Sequence, residues 1–269
     1  LRMSRGLGDV YKRQHLYDLL EIQKIREPEI QIVSNLSFLP VNENNLVYKA
    51  ARLLQEEFAL TDGISVKLTK RIPVAAGMAG GSTDAAAMLY AMNQLYDLGL
   101  SRRELMKRGV QIGADVPYCL MRGTALAEGI GEKLTQLPPM IKCPVLIAKP
   151  SISVSTKFVY QNLKLDEQTN HPDIDALMKD IREKDFDGVC AHMGNVLESV
   201  TIPNYPVIAE IKQQMMRSGA KASMMSGSGP TVFGLFEDGE TAKRALREMK
   251  RSGLAKQVYL TTIYNNRRK

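Results

Sequence analysis

Residues 73–84 read P-V-A-A-G-M-A-G-G-S-T-D, a glycine-rich loop that runs directly into an apolar helical pattern ending near residue 96. Glycine lets the backbone approach a ligand closely and adopt positive φ. The helix is predicted to begin at Ser82 or Thr83, where its free N–H groups and its dipole suit an anion. The stretch matches neither a Walker A loop nor the dinucleotide-binding G-x-G-x-x-G pattern. It therefore predicts either a phosphate cradle or a turn used only for tight packing.

Two further segments carry polar groups that suit phosphate chemistry. Asp115 stands where a predicted helix ends, before Pro117, which prevents the helix from continuing. Among apolar neighbours its carboxylate is expected to be partly desolvated and therefore more basic; a helix-ending aspartate that bonds its local backbone is the alternative. Residues 226–230, S-G-S-G-P, lie between two apolar strands and predict either a second anion-binding nest or a plain hairpin turn.

The periodicity of the remaining chain predicts strands and helices in two layers, an α+β class. Ser101 and Glu104 form a capping box that opens a helix, and Thr156 is the candidate N-cap of a later one. The composition shift near residues 149–155 is the best domain boundary. Strands are predicted at 15–24, 30–34, 63–68, 125–128, 132–136, 144–148, 220–225, 231–236 and 258–264, and further helices at 45–58, 174–183, 186–197, 206–217 and 240–251.

Composition excludes several classes of protein. The 269 residues are 44% hydrophobic and 24% charged, as in ordinary globular domains, and no apolar run approaches the roughly 18 residues of a membrane span. Residues 1–14 contain no apolar segment typical of a secretory leader. The three cysteines form no C-x-x-C pair and the three histidines show no metal spacing, so we expect a cytoplasmic protein with small buried thiols and no metal site of its own.

The net charge of +7 invites a nucleic-acid interpretation, but its distribution argues against one. Residues 1–14 carry four basic side chains and one acidic side chain, a net +3, and residues 267–269 carry another +3. The rest of the chain is therefore close to neutral. The sequence has no tryptophan and only 6% aromatic residues, which is poor material for stacking on bases.

Taken in order, the three segments resemble the three signature motifs of the GHMP kinase superfamily, which includes galacto-, homoserine, mevalonate and phosphomevalonate kinases. The resemblance runs from about His15 to Tyr264. It implies an α+β, two-domain fold, with a ribosomal-protein-S5-like ATP-binding domain over residues 15–148 and a ferredoxin-like domain over 149–269. A narrower resemblance within this superfamily is carried by motifs at 73–87, at 113–117 (G-A-D-V-P), at 129–132 (G-I-G-E), at 173–175 (D-I-D) and at 225–233 (M-S-G-S-G-P-T-V-F).

The resemblance also implies roles for individual residues. Asp115 would be the catalytic base, and Ser82 a contact for Mg²⁺ or phosphate. Tyr160 would stack on a cytosine ring of the acceptor, with Thr156 beside it; an ordinary core aromatic is the alternative for Tyr160. The residues near the transferred phosphates would be Gly227, Ser228 and Gly229. The ATP-binding residues would be Pro73, Val74, Ala75, Ala76, Gly77, Met78, Ala79, Gly80, Gly81, Ser82 and Thr83.

The narrower match implies ATP-dependent phosphorylation of the 2-hydroxyl of 4-diphosphocytidyl-2-C-methyl-D-erythritol in the non-mevalonate isoprenoid pathway, with Mg²⁺ entering on the nucleotide. The expected partners are ATP and this cytidyl diphosphate sugar alcohol, with no nucleic acid and no membrane, in a monomer or weak dimer. Tyr160 and the pair Gly80 and Gly81 favour this acceptor over those of the homoserine or mevalonate type, which remain the alternative.

The first fourteen residues depart from the family pattern. Family members open with an A-K-I-N-L-like strand, whose lysine partners the aspartate, followed by an R-x-D-G-Y-H-like segment. Residues 1–14 resemble neither, so they are predicted to be a non-family segment, disordered or non-native, with the N-terminal strands of the fold missing. A chain without that lysine is expected to be an impaired kinase or an inactive nucleotide-binding remnant.

Overall fold

A computed structural model describes residues 2–7, 16–165 and 171–263 of the chain. It divides the chain into two compact units. The first unit consists mainly of Tyr17–Val74 and Ala79–Gln136, and the second mainly of Ala75–Met78 and the chain from Leu137 onward. The division after Gln136 falls earlier than the predicted boundary at 148/149, because the strand that follows, Pro144–Lys149, lies in the sheet of the second unit.

The first unit is built on a four-stranded sheet in the order β1-β2-β4-β3. β2 is antiparallel to β4 and β3 is parallel to it, so that Ile22 and Ile32 both lie opposite the buried Val66. Its elements are β1 (Arg2–Leu7), β2 (Leu16–Ile25), β3 (Ile30–Ser34), α1 (Leu46–Glu57), β4 (Gly63–Thr69), α2 (Gly80–Leu95), α3 (Arg102–Ile112), α4 (Val116–Met121), β5 (Ala125–Glu128) and β6 (Lys133–Gln136).

Helices α1 and α2 pack together in the first unit, with α3 and α4 beside them. Side chains alternate along β4, where Ile64, Val66 and Leu68 are fully buried, as expected for a sheet with one face on a core. Met88 and Leu89 of α2 lie in the same apolar cluster. The sheet and the helices thus fix the position of the N-terminus of α2, which follows the glycine-rich loop.

The second unit is a four-stranded antiparallel sheet in the order β10-β7-β9-β8. This is the strand order of a ferredoxin-like β-α-β-β-α-β fold, which confirms the prediction for the C-terminal domain. Its elements are β7 (Pro144–Lys149), α5 (Thr156–Asn162), α6 (Ile174–Glu183), α7 (Phe186–His192), α8 (Glu198–Asn204), α9 (Val207–Arg217), β8 (Ala222–Met225), β9 (Val232–Leu235), α10 (Gly239–Ser252) and β10 (Gln257–Thr262).

Three predictions about elements were wrong. Residues 2–7 form strand β1 at the edge of the first sheet, so disorder was the wrong expectation for this part of the segment 1–14. The alternative of a non-native segment stays a prediction, and residues 8–14 lie outside the described residues. Ser155, and not Thr156, caps α5, because its hydroxyl accepts a hydrogen bond from Phe158 N. The helix predicted over 186–197 ends at His192, because the chain becomes extended at Met193, and a separate helix, α8, begins at Glu198.

Among the helices of the described residues, none combines the length and the apolar character that crossing a membrane requires.

Candidate active site

In the glycine-rich loop over residues 73–83, hereafter the first glycine loop, every second residue from 75 to 79 adopts a left-handed backbone conformation. Ala75, Gly77 and Ala79 have φ values of 51°, 67° and 49°. Helix α2 begins at Gly80, two residues before the earliest predicted start, and Ala79 is its N-cap without a capping side chain. The first N–H groups of a helix lack intrahelical acceptors. Gly80, Gly81 and Ser82 therefore present backbone donors at the positive end of a 16-residue helix, an arrangement that suits a phosphate.

The three glycines of this loop meet different surroundings. A Cβ atom at Gly77 would lie 2.4 Å from the carbonyl oxygen of Ser226, and one at Gly80 would lie 2.9 Å from Ile72 Cγ2. A Cβ atom at Gly81 would touch only Leu46, at 3.4 Å, and Gly81 is exposed. Gly77 and Gly80 are thus needed for packing, whereas Gly81 leaves space open in front of the helix.

The S-G-S-G-P segment at 226–230, hereafter the second glycine loop, packs on residues of the first within the second unit. The Ser226 hydroxyl donates a hydrogen bond of 2.7 Å to the carbonyl oxygen of Gly77. Gly227 and Gly229 have φ values of 56° and 87°, which side-chain-bearing residues rarely adopt. The hydroxyls of Ser228 and Thr156 lie 2.9 Å apart. The structure therefore brings together the predicted phosphate-proximal residues, Thr156 and part of the predicted ATP loop.

Asp115 is the N-cap residue of α4 and is exposed, so the predicted partial desolvation of its carboxylate was wrong. Its side chain makes no capping hydrogen bond, which also removes the alternative of an aspartate bonded to its local backbone. Pro117 lies in the first turn of α4, where a proline opens a helix and does not end one. The carboxylate is thus available to an incoming group.

Tyr160 lies on the outer side of α5 with 61% of its surface exposed, whereas its neighbour Val159 is fully buried. The alternative of a core aromatic is therefore excluded. An exposed ring on a helix that begins at Thr156 is free to stack on a planar ligand.

A buried ionic cluster beside the first turn of α2 was not predicted from the sequence. The Lys70 ammonium group donates to carboxylate oxygens of Asp18 and, at 2.7 Å, of Asp84, and the three side chains are each at most 4% exposed. Asp18 also accepts hydrogen bonds from Arg71 N and Ile72 N, at 2.5 and 2.9 Å. Burial raises the pKa of Asp84 to about 7, against the lowering effect of Lys70 and with the help of the negative charge of Asp18.

This cluster lies directly beside the loop, because a Cβ atom at Gly80 would be 3.3 Å from Lys70 Nζ. Its members come from β2, from the residue after β4 and from α2, so no local spacing connects them. The available signal was a lysine and an aspartate bracketing the glycine-rich stretch.

The described part of the chain contains no group of three or more histidine, cysteine, aspartate or glutamate side chains placed to hold a metal ion. The three cysteines form no disulfide. Burial raises the pKa of Cys143 to about 12 and that of Cys190 to about 11. Such thiols stay protonated and unreactive at neutral pH. His15 lies outside the described residues.

Both units match domains of the same protein family. The family described as GHMP kinases N terminal domain matches residues 45–123, and GHMP kinases C terminal matches 177–255. Among solved structures, one of 4-(cytidine 5'-diphospho)-2C-methyl-D-erythritol kinase is 27% identical, with a TM-score of 0.79 over 98% of this chain and 97% of that one. A homoserine kinase from Cytophaga hutchinsonii, 22% identical, also has a TM-score of 0.79 over 93% of this chain and 87% of its own, and shares the fold.

Relatives with higher sequence identity to this chain share the same protein name. The 4-diphosphocytidyl-2-C-methyl-D-erythritol kinase of Lachnospira eligens is 57% identical over 266 residues, which cover 98% of this chain and 92% of that protein. The kinase of the same name from Lachnoclostridium phytofermentans is 53% identical over 94% of this chain and 87% of its own length. Residues 15–269 are 255 of 269 residues, about 95% of the chain, so the first match extends into the segment 1–14. The chain therefore belongs to the 4-diphosphocytidyl-2-C-methyl-D-erythritol kinase family of GHMP kinases and is an ATP-dependent small-molecule kinase.

Proposed function

We propose that this chain transfers the γ-phosphoryl group of ATP to the 2-hydroxyl of 4-diphosphocytidyl-2-C-methyl-D-erythritol, releasing ADP, in the non-mevalonate isoprenoid pathway. The observation that carries the proposal is the identity of 57% to a kinase with this name over almost the whole of both chains. The glycine loops, Asp115 and Tyr160 each supply chemistry that fits the reaction.

The first glycine loop would hold the ATP phosphates. The backbone donors of Gly80, Gly81 and Ser82 lie at the N-terminus of α2 without a capping side chain, and only Gly81 leaves open space beside them. Phosphoryl transfer depends mainly on positioning and on stabilising negative charge, which such donors provide. The second glycine loop, with Gly227, Ser228 and Gly229, would lie near the same phosphates.

Mg²⁺ would come with the nucleotide. The described residues offer no cluster of acidic ligands for it, but the half-buried Ser82 in the first turn of α2 has a hydroxyl suited to one contact. When bound, the ion would neutralise charge on the β- and γ-phosphates.

Asp115 would take the proton from the acceptor hydroxyl as that oxygen attacks the γ-phosphorus. A general base must lie within hydrogen-bond reach of the proton it removes, and an exposed carboxylate without a backbone partner can do so. Tyr160 would stack on the cytosine ring of the acceptor, and Thr156 lies about one turn earlier on the same helix.

A panel of acceptors tests the proposal and its alternatives. ADP release would be measured with ATP and, separately, 4-diphosphocytidyl-2-C-methyl-D-erythritol, homoserine and mevalonate. Turnover with the cytidyl acceptor alone is expected. Turnover with homoserine or mevalonate would assign the chain to another GHMP reaction. ATP binding by calorimetry without turnover of any acceptor would identify a nucleotide-binding remnant.

Several further expectations belong to the same proposal. We infer a monomer or weak dimer that binds neither nucleic acid nor membranes. The cytoplasmic location predicted from cysteine usage stays a prediction.

A further inference from the structure

The segment between α7 and α8 holds the second glycine loop through one side chain. The Asn195 amide donates hydrogen bonds to the carbonyl oxygens of Met225, at 2.9 Å, and of Gly227, at 2.8 Å. Its own oxygen accepts a hydrogen bond of 3.0 Å from Leu197 N, just before α8. Both polar atoms of Asn195 are therefore engaged, and the two donations span the turn that opens the loop.

Two further side chains of α8 reach the same segment. One carboxylate oxygen of Glu198 accepts a hydrogen bond of 2.8 Å from Met225 N, while the other is 2.5 Å from Lys212 Nζ. The buried Thr201 hydroxyl lies 3.1 Å from Leu197 O and 3.4 Å from Ser228 O, and donates to one or the other. Glu198 and Thr201 are three residues apart and so lie close to the same face of α8. Together with Asn195, just before the helix, they contact residues 225–228.

The second glycine loop in turn contacts the first. Ser226 donates to the carbonyl oxygen of Gly77, and the two backbones are so close that a Cβ atom at Gly77 would lie 3.1 Å from Gly229 O. A shift of the second loop would therefore move residues 75–78, which the proposed function places on the ATP phosphates.

We infer that Asn195 is a positioning residue of the nucleotide site: its amide holds the second glycine loop in the conformation that packs on Gly77. The inference rests on the proposed function, because it takes the two glycine loops to bind ATP. Asn195 itself touches neither substrate. Its effect passes through two hydrogen bonds to backbone carbonyl oxygens, each of which has only modest net strength alone.

The substitution Asn195→Asp tests this inference. The carboxylate has nearly the same shape and can still accept from Leu197 N, but it loses both donations and places a negative charge against two carbonyl oxygens. ATP affinity measured by calorimetry is expected to fall about tenfold, with a matching rise in the KM for ATP. The matched control is Asn204→Asp in α8, which loses one donation of 2.8 Å to Val200 O and should leave ATP affinity unchanged.

A double-mutant cycle with Ser226→Ala separates positioning from general loss of structure. If Asn195 acts through the second glycine loop, the double variant loses less ATP affinity than the two single losses combined. Additive losses would overturn the inference, as would an Asn195→Asp protein that binds ATP like the unaltered chain. Should Asn195→Asp not fold, Asn195→Ser takes its place, since a hydroxyl is too short to reach both carbonyl oxygens. Failure of the unaltered chain to bind ATP would instead refute the proposed function.

Discussion

Gly81 is the glycine of the first loop whose replacement should act on the ligand and not on the fold. Its missing side chain would meet only Leu46, whereas the side chain missing at Gly80 would collide with Ile72. We expect Gly81→Val to leave the folding free energy within about 1 kcal/mol of the original and to weaken ATP binding at least tenfold. Calorimetry with ATP and thermal unfolding measure the two effects.

The substitution Gly80→Val should, in contrast, lower the stability of the fold. A Cβ atom 2.9 Å from Ile72 Cγ2 overpacks the core, which costs about 1–3 kcal/mol.

Gly239→Val is the control for Gly81→Val, because Gly239 also begins a helix, α10, and a Cβ atom there meets nothing within 4 Å. If Gly81→Val binds ATP as well as Gly239→Val does, the phosphates do not lie at the start of α2.

Asp115 should be required for turnover and dispensable for nucleotide binding. Asp115→Asn keeps the size of the side chain and removes the proton acceptor, so kcat is expected to fall at least about 100-fold. ATP affinity should be unchanged. Asp97→Asn makes the same charge change at another exposed aspartate of the first unit and should keep full turnover. Retention of kcat in Asp115→Asn would exclude this carboxylate as the base.

Tyr160 should determine affinity for the cytidyl acceptor through its ring. Loss of an aromatic stack on a base costs about 1–3 kcal/mol, so Tyr160→Ala should weaken acceptor binding about five- to hundredfold and leave ATP binding alone. Tyr160→Phe keeps the ring and should bind the acceptor nearly as well as the original chain. An equal loss of affinity for both ligands in Tyr160→Ala would point to damage of α5.

At the scale of elements, predictions succeeded where the determinant was local. The capping box of Ser101 and Glu104 fixes the start of α3, and both of its hydrogen bonds are present. Gly253 follows the predicted helix 240–251 and ends α10 in the left-handed conformation that glycine favours. Both signals act over a few residues and need no tertiary contact.

Predictions failed where tertiary contacts decided the outcome. Glycine disfavours helix interiors, so Gly80 and Gly81 were expected in the loop. The structure places both in the first turn of α2, because only a residue without a side chain fits beside Ile72 and Lys70 at Gly80. The helix predicted over 186–197 was too long for a similar reason, since Asn195 within that range is engaged with Met225 and Gly227, at least thirty residues away.

The ionic cluster beneath α2 should make the stability of the first unit depend on pH. The pKa of Asp84 is about 7 in the folded protein and near 3.8 in the unfolded chain, so the folded state binds more protons between these values. Stability therefore falls as pH rises from about 4 to 7, by at most about 1.4 kcal/mol per pH unit for this group. Urea unfolding at pH 5, 6, 7 and 8 measures the slope.

Asp84→Asn should remove this contribution, because an amide resembles the protonated carboxyl and can still accept from Lys70. The variant should gain stability relative to the original chain as pH rises, with the full difference reached above pH 7. Asp97→Asn, an exposed change of equal charge, should leave the slope unaltered. Parallel curves for the original chain and Asp84→Asn would mean that Asp84 stays ionised throughout this range.

At the scale of the whole molecule, the α+β class followed from the alternation of strands and helices in the second half, and the ferredoxin-like domain followed from the resemblance to GHMP kinases. The assembly of Asp18, Lys70 and Asp84 did not, because these residues lie up to 66 positions apart in sequence and meet only after the sheet has formed. Long-range polar pairing has no periodic signature, unlike the burial of one face of a helix or strand.

The net charge of +7 should produce only weak, nonspecific attraction to nucleic acid. Helix α10 also carries basic residues on its exposed side, and Lys243 there is paired with Glu240 at 2.5 Å. Two triple variants compare these regions at equal charge: Arg267→Gln, Arg268→Gln and Lys269→Gln at the chain end, and Arg247→Gln, Lys250→Gln and Arg251→Gln in α10. Each lowers the net charge from +7 to +4.

Retention on immobilised DNA is expected to decrease to the same extent in both variants and to vanish for the original chain near 0.2 M salt. The physical reason is that attraction without a built site follows net charge and is screened by salt, whereas a specific interface depends on particular contacts. Neither variant should change kcat/KM for the kinase reaction. Loss of retention in one variant alone, or retention that survives 0.2 M salt, would show a defined nucleic-acid surface and would contradict the expectation that this kinase has no nucleic-acid partner.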